Sequence, residues 1–261
     1  DPTEVMLPQA PANIPDPQDL ELFNPELEQL TVEELGAFGL EIESTARQAD
    51  ARVTAVPYLV VSRSNSAYRI VSTHGVDYQQ RENDVGAYSQ ALLEDGDRRK
   101  SGGHMWAQRK WDPSQSKVIG SLAVSKAADL LSASPVPGGP VPVVLDEYCA
   151  PQLLSLYFSC FSAEAAQKGQ SRLHGQLGEM IADESIDLTT EPHRVGAGSS
   201  RYMDAEGILT RSVPLITKGR FEQFMYHIES ARRDGRESNG HAGRSYGGGI
   251  VTSGHNIVMP T

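Results

Sequence analysis

Hydrophobic and polar residues alternate with several distinct periods along the chain, and the first clear period is helical. From Thr31 to Asp50 the apolar residues recur at helical intervals. Thr31 stands three positions before Glu34, which is the spacing of a capping box. We therefore expect one amphipathic helix that begins after Thr31.

Between Val53 and Lys110 the period falls toward two, with β-branched and aromatic residues in short runs. Turn-forming residues interrupt these runs at Ser64–Ser66, His74–Gly75 and Asp95–Gly96. The pattern predicts an antiparallel meander.

A second helical period covers Pro113 to Leu131, with Ser114 as a candidate cap. Its predicted core face holds four residues, Val118, Leu122, Ala123 and Leu130. The Pro/Gly/Ser-rich stretch that follows, "SASPVPGGP", predicts a domain boundary near Gly138–Pro140.

Beyond this boundary, "VPVVLDEY" has the composition of a buried strand, and "APQLLSLYFSCFSAEAAQKG" that of a helix with an apolar first half. The first thirty residues carry six prolines and no period, which favours an extended segment. We expect an α+β protein. Its predicted parts are an extended lead (1–30), a domain of helices and antiparallel sheet (31–137), and a truncated, mixed α/β C-terminal domain (138–261).

The charge of the chain argues against nucleic acid as a partner. It has 23 basic and 34 acidic residues, a net charge of −11, which repels a phosphate backbone. No run approaches the roughly 18 apolar residues that span a bilayer. A helix would hold Cys149 and Cys160 about 16 Å apart, too far for a disulfide. Reduced thiols and a cytoplasmic location are the expectation.

The C-terminal half resembles a known family in several spaced elements. These are Asp204–Gly207 ("DAEG"), Ile216–Gly219, Ser230–Ala231 and the "SNGHA" loop at Ser238–Ala242. In this order they are similar to the TldD/PmbA family, also called modulators of DNA gyrase or peptidase family U62. The resemblance spans Val141 to Thr261, and a weaker one extends back through the stretch "SRSNSAYRIVSTHG".

The two branches of that family differ in their chemistry. TldD-type members carry His-Glu-x-x-x-His on the helix after the "VVL" strand, where two histidines hold zinc and the glutamate acts as general base. The corresponding stretch here, Gln152 to Cys160, contains neither histidine nor glutamate. The resemblance therefore implies the PmbA/TldE branch, whose members pair with a TldD-type subunit.

The histidines give no independent sign of a metal site. The seven are scattered, and no pair stands three to five residues apart, as a helical zinc site requires: His74, His104, His174, His193, His227, His241 and His255. A site assembled from distant residues remains an alternative. We assign no catalytic residue, no metal ligand and no cofactor in this chain, and expect zinc in a TldD-type partner alone.

Six residues are candidates for a substrate-binding or cavity-lining role: Asp204, Glu206, Gly207, Gly240, His241 and Arg244. Asp204 and Glu206 could bind a peptide amine, although acidic residues also stabilise surface turns. His241 could be catalytic or a metal ligand, but glycines on both sides favour a tight connection. The basic stretch Arg232–Arg236 favours a helix end, with a patch for an acidic partner surface as the alternative.

The family resemblance implies one subunit of a metallopeptidase complex that acts on peptides or unfolded segments. We expect a dimer, with a TldD-type homologue or with itself, because a sheet edge and the apolar "SLYFSCF" stretch need cover. The alternative is an acidic binding protein that modulates a nucleic-acid enzyme such as DNA gyrase. The spread of Asp and Glu along the chain disfavours it.

Overall fold

The computed structural model describes residues 8–146 and 148–259, and its chain forms two units. The helix–sheet unit consists of Phe23–Ser66 and Arg81–Val141. The C-terminal unit consists of Asp1–Leu22, Ala67–Gln80 and Pro142–Thr261. Helices and antiparallel strands occur in both, so the predicted α+β class is confirmed.

The helix–sheet unit contains three helices and a sheet of three antiparallel strands. In chain order the elements are α1 (Pro25–Gln29), α2 (Val32–Ala49), β1 (Val53–Val71), β2 (Asp77–Asp95), β3 (Arg98–Gln108) and α3 (Gln115–Ser132). The strands pair in the order β1-β2-β3. Residues 67–80, around the β1–β2 turn, belong to the C-terminal unit.

The capping box at the start of α2 is present as predicted. The N–H of Thr31 donates to the Glu34 carboxylate at 2.8 Å, and the N–H of Glu34 donates to the Thr31 hydroxyl at 3.2 Å. The helix then buries Phe38, Ile42 and Ala46, which are spaced four residues apart. Local sequence thus determines both the start and the buried face of α2.

The predicted break at Ser64–Ser66 is wrong, because β1 continues through it to Val71. Cross-strand bonds satisfy the polar side chains: the Ser64 hydroxyl donates to Asp84, and the Ser66 hydroxyl donates to Glu82 at 3.0 Å. Residues typical of turns are held in a strand by these partners. The predicted breaks near Gly75 and at Asp95–Gly96 coincide with the ends of strands.

The predicted core face of α3 is correct at Ala123 and wrong at Val118, Leu122 and Leu130, which are exposed. The buried face consists mainly of small residues, because α3 approaches α2 closely. A Cβ at Gly120 would lie 2.7 Å from the carbonyl oxygen of Ile42. Glycine at this position allows the two helix backbones to come together.

The C-terminal unit contains short elements around a second core. They are α4 (Cys149–Ser155), α5 (Ala163–Gln167), β4 (Leu188–Thr190), β5 (Val213–Thr217), β6 (Arg220–Phe221), α6 (Ile228–Arg233), β7 (Ala242–Arg244), β8 (Ile250–Thr252) and β9 (Ile257–Val258). One antiparallel sheet has the order β6-β5-β4-β9, and β7 pairs with β8 in a hairpin. Phe161, Leu215 and Phe221 lie in the core.

Two predictions for the chain before this core are wrong. Residues 141–146 form no strand, and Val144 is 96% exposed; Glu147 lies outside the described residues. The helix predicted from Ala150 is divided into α4, a 3-10 turn at Phe158–Phe161, and α5. The division falls where Ser162 adopts an extended conformation and caps α5 through Ala165 N–H. Burial starts at Phe161, after the exposed Leu156.

The lead segment is also less extended than predicted. Asp16 caps a 3-10 turn at Pro17–Leu20, and Asn24 caps α1, each through its side chain. The first seven residues lie outside the described part of the chain. Cys149 is exposed and Cys160 is half-buried, and no disulfide joins them. Among residues 8–146 and 148–259, no helix combines the length and apolar character needed to cross a membrane.

Candidate functional site

The turn at Asp204–Gly207 is organised by the carboxylate of Asp204, which is fully buried. Its Oδ1 accepts the N–H groups of Glu206 at 2.9 Å and Ile208 at 3.0 Å, and its Oδ2 accepts that of Ala242 at 3.0 Å. Burial raises the pKa of Asp204 while these donors oppose the rise. With three backbone partners inside the fold, this carboxylate acts as a structural group.

Glu206 differs from Asp204 because its side chain is half-buried and its bonding is incomplete. Its Oε2 accepts the N–H of Ile228, the first residue of α6, at 2.7 Å. Burial raises the pKa of Glu206 to about 7, the Ile228 N–H opposes this, and Asp204 and Glu229 add to it. Among the six candidates, Glu206 has the chemistry to exchange a proton at neutral pH.

The "SNGHA" loop passes so close to another loop that a side chain is excluded at its centre. Gly240 has a φ of 76°, in the left-handed region. A Cβ there would lie 2.6 Å from the carbonyl oxygen of Leu209 and 2.7 Å from the Cα of Thr210. The structure thus agrees with the prediction that glycine serves backbone geometry here.

Hydrogen bonds fix the ring of His241 and its tautomer. The side chain of Asn239 donates to Phe224 O at 2.9 Å, and its Oδ1 accepts the N–H of Tyr226 at 2.7 Å. This Oδ1 also lies 2.9 Å from His241 Nδ1, which must therefore carry the proton. His241 Nε2 is then the acceptor of the Thr190 hydroxyl, at 3.0 Å.

Thr190, His241 and Asn239 thus form a hydroxyl–imidazole–amide chain of the kind that activates a nucleophile. Here the chain is closed to substrate, because Thr190 and His241 are fully buried. The Thr190 hydroxyl oxygen also accepts the N–H of Val213 at 3.1 Å. Burial, with His255 nearby, lowers the pKa of His241 to about 3. His241 is therefore a weak base at neutral pH, and both of its ring nitrogens are already hydrogen-bonded, so neither is open to a metal ion.

A second buried imidazole, His255, packs against the first. The ring centroids of His241 and His255 are 4.8 Å apart, and His255 Nε2 donates to Gly240 O at 2.7 Å. Burial lowers the pKa of His255 to about 4. The sequence gives no signal for this pair, since the two histidines are 14 positions apart with no regular period between them.

The candidate residues are only partly brought together. The N–H of Ala205 donates to Ala242 O at 3.1 Å, so the turn carrying Asp204, Glu206 and Gly207 adjoins the loop of Gly240 and His241. Arg244 is exposed in the β7–β8 hairpin, where its Nε donates to Gly248 O at 3.3 Å. The substrate-binding role of all six residues remains a prediction.

The basic stretch lies at the end of α6, where it was expected. Arg233 forms an ion pair with Glu229 one turn earlier, and Arg232 and Arg236 are exposed. Positive side chains at a helix C-terminus complement its dipole.

The sequence also did not point to His227, which is buried beside Glu164. The His227 Nε2 lies 3.6 Å from Glu164 Oε2, and the same carboxylate is bonded by Lys168 at 2.5 Å. Burial lowers the pKa of His227, and the charge of Glu164 acts in the opposite direction. The imidazole has a carboxylate as its nearest charged neighbour, in contrast to His241 and His255.

The residues of this chain do not fit the zinc site that the resemblance implies for the TldD branch. A hydrolytic zinc needs about three protein ligands and one open position. Within the described ranges, no three His, Cys, Asp or Glu side chains converge in a geometry that could hold a metal ion. The stretch Gln152–Cys160 offers no imidazole.

Two family models match most of the chain. The PmbA/TldA metallopeptidase central domain matches residues 25–131, and the PmbA/TldA metallopeptidase C-terminal domain matches residues 138–261. Among curated proteins, a "Metalloprotease" of Methanothermobacter thermautotrophicus is 28% identical over 77% of this chain and 45% of its own length. The "Metalloprotease PmbA homolog" of Haemophilus influenzae is 22% identical over 87% of this chain and 50% of its own. The chain thus spans about half the length of these relatives.

Solved structures share the fold. A putative modulator of DNA gyrase from Thermotoga maritima aligns with a TM-score of 0.85 at 24% identity, over 95% of this chain and 56% of that one. TldE from Thermococcus kodakarensis aligns with a TM-score of 0.81 at 24% identity, over 98% of this chain and 57% of that one. With both domain models matched in order along the sequence, the chain belongs to the PmbA/TldD metallopeptidase family.

Proposed function

We propose that this chain is a PmbA/TldE-type subunit of a cytoplasmic TldD/TldE-type zinc metallopeptidase complex. The complex degrades or processes peptides and unfolded segments. A TldD-type partner supplies the zinc, and this chain supports the chamber and helps to bind the substrate. On its own the chain is not catalytic.

The observation that carries this proposal is the composition of Gln152–Cys160, in a chain that belongs to a metallopeptidase family. Where TldD-type members have His-Glu-x-x-x-His, this chain has "QLLSLYFSC". Of the residue types that ligate zinc (His, Cys, Asp and Glu), this stretch contains Cys160 alone, whereas a hydrolytic zinc needs about three protein ligands. Catalysis in such a complex therefore depends on a different polypeptide.

The surroundings of Glu206 support a part in substrate binding. Its carboxylate is half-buried, bonded to one backbone N–H, and adjoins the "SNGHA" loop through the Ala205–Ala242 hydrogen bond. A carboxylate in such a position suits the amine or an N–H of a peptide. The neighbouring side chains of Asp204 and His241 are buried and hydrogen-bonded within the fold, where they stabilise the two loops around Glu206.

Association with a TldD-type homologue is the first test. We expect co-expression of the chain with the TldD-type protein of the same genome to give a complex that co-elutes in size-exclusion chromatography. A matched control is the same partner with an unrelated chain of similar charge. Elution of this chain as a monomer, with full peptidase activity in the TldD-type protein alone, contradicts the proposal. Recovery of topoisomerase subunits in place of a TldD-type protein favours the gyrase-modulating alternative.

A further inference from the structure

Four buried or half-buried imidazoles lie in the C-terminal unit, and two of them sit at one end of the β7–β8 hairpin. His241 directly precedes β7, and His255 follows β8 by three residues. The N–H of Ser253 donates to His241 O at 2.8 Å, which closes the hairpin between them. The far end, 245–249, is rich in glycine and carries the fully exposed Tyr246.

We propose that the neighbouring imidazoles of His241 and His255, whose ring planes are tilted by 40°, form an acid-sensitive lock that holds the β7–β8 hairpin in the C-terminal unit. While both rings are neutral the hairpin stays in place. Protonation of either ring releases the segment 238–256 with its glycine-rich tip.

At His255 the backbone carbonyl groups of Gly240 and Ser199 favour an added proton, but burial outweighs them. At His241 both ring nitrogens already have hydrogen-bond partners. The ring of His241 uses Nδ1 to donate to Asn239 and Nε2 to accept from Thr190, so a second N–H would face the Thr190 hydroxyl. Both rings are almost wholly buried, and a charged imidazolium there loses its hydration. If both rings were protonated, the two positive charges would repel each other, because the ring centroids are 4.8 Å apart.

Charged groups around the pair oppose protonation further. Arg211 faces His241, while Arg201 and His193 face His255, and each of these lowers the pKa of the ring it faces. The nearby carboxylate of Asp204 bonds backbone N–H groups, with Ala242 among them, and neither ring bonds it. His227, in contrast, has Glu164 at 3.6 Å to balance a proton.

The direction of the pH dependence follows from linkage. The pKa of each ring in the fold, about 3 for His241 and about 4 for His255, lies below the 6.5 of an exposed histidine. Stability from the pair is therefore complete above pH 6.5 and is lost as the pH falls below it. An opening that exposes both rings becomes about tenfold more favourable per pH unit and per ring. At pH 5 this amounts to about 30-fold for one ring and about 1,000-fold for two.

Hydrogen exchange of the 261-residue chain, read by mass spectrometry at pH 7 and pH 5 and corrected for intrinsic rates, tests the lock. We expect the peptides covering 238–256 to lose about 1,000-fold in protection at pH 5, and α2 and α3 to lose far less. His255→Gln keeps a donor for Gly240 O without a titrating ring. It should reduce the loss at 238–256 to about 30-fold. His174→Gln, at an exposed histidine, should leave the loss unchanged.

Two results overturn the proposal. One is an equal loss of protection at 238–256 in the parent chain and in His255→Gln. The other is a loss of the same size in α2 and α3 as in the hairpin. If circular dichroism shows that His255→Gln does not fold at pH 7, His241→Asn replaces it in the experiment. The asparagine amide can donate to Asn239 as the Nδ1 of His241 does. The same two results, measured on His241→Asn, then overturn the proposal.

Discussion

The substitution of alanine for glycine should have opposite effects on stability at two helical positions, Gly120 in α3 and Gly36 in α2. The reason is the close contact between α2 and α3 at Gly120. A methyl group at Gly120 would lie 2.7 Å from Ile42 O, 3.0 Å from Thr45 Cβ and 3.1 Å from Ala46 N. Two of these are backbone atoms, which cannot turn away. At Gly36 in α2, a Cβ would have no heavy atom within 4 Å.

The two substitutions should change the free energy of unfolding in opposite directions. Replacing glycine by alanine inside a helix gains about 0.5–1 kcal/mol of stability, and Gly36→Ala should show that gain. Overpacking of a close contact costs about 1–3 kcal/mol, and α2 and α3 must separate to relieve it. At the upper end of that range Gly120→Ala has a net cost of about 2 kcal/mol.

Thermal unfolding followed by circular dichroism distinguishes the two variants. For a chain of this size, about 1 kcal/mol shifts Tm by about 2–4 °C. We expect Gly120→Ala to lower Tm by about 4–8 °C and Gly36→Ala to raise it by about 1–4 °C. Equal shifts of the same sign would refute the close approach of α2 to α3 and the reasoning from it.

Two further predictions concern the acidic turn. Asp204→Ala should cost about 3–5 kcal/mol of stability or prevent folding of the C-terminal unit, because three buried N–H groups lose their acceptor. Asp204→Asn keeps one acceptor oxygen and should cost less. Urea unfolding of both variants measures which loses more stability. The pKa of Glu206 in the fold, about 7, lies above its usual value, so the fold favours the protonated carboxyl group. The parent chain should therefore lose stability as the pH rises from about 4.5 to 7. Glu206→Gln should remove this loss. Urea midpoints at pH 5 and pH 7.5 that change equally in parent and Glu206→Gln would contradict this.

Features of the fold with a local cause could be predicted from the sequence, whereas features that depend on distant partners could not. Thr31 and Glu34 are three residues apart and form their capping box as predicted. The apolar residues Val118, Leu122 and Leu130 form a stripe on α3 like a core face, yet they are exposed. The period shows that such a stripe exists, but the glycine contact with α2 decides which side is buried.

The same limit applies to the strand predicted at 141–148 and to the candidate site. β-branched residues favour a strand, but a strand requires a neighbour to pair with, and 141–146 remain without regular structure. In the site, His241 was identified from its glycine neighbours, whereas its partners Thr190 and His255 lie 51 and 14 residues away along the chain. The family resemblance identified the loops, but the burial of Asp204 and His241 depends on tertiary contacts that the sequence does not show.

Zinc content and peptidase activity, measured together on one purified complex, test the central proposal most directly. We predict that this chain alone binds no stoichiometric zinc and cleaves no peptide, because the residues that the structure describes provide no three-ligand set. With a TldD-type partner it should give a complex with one zinc per pair, whose activity is lost when the partner's histidine motif is removed. One zinc bound by this chain alone, with peptidase activity that a chelator abolishes, would contradict the account.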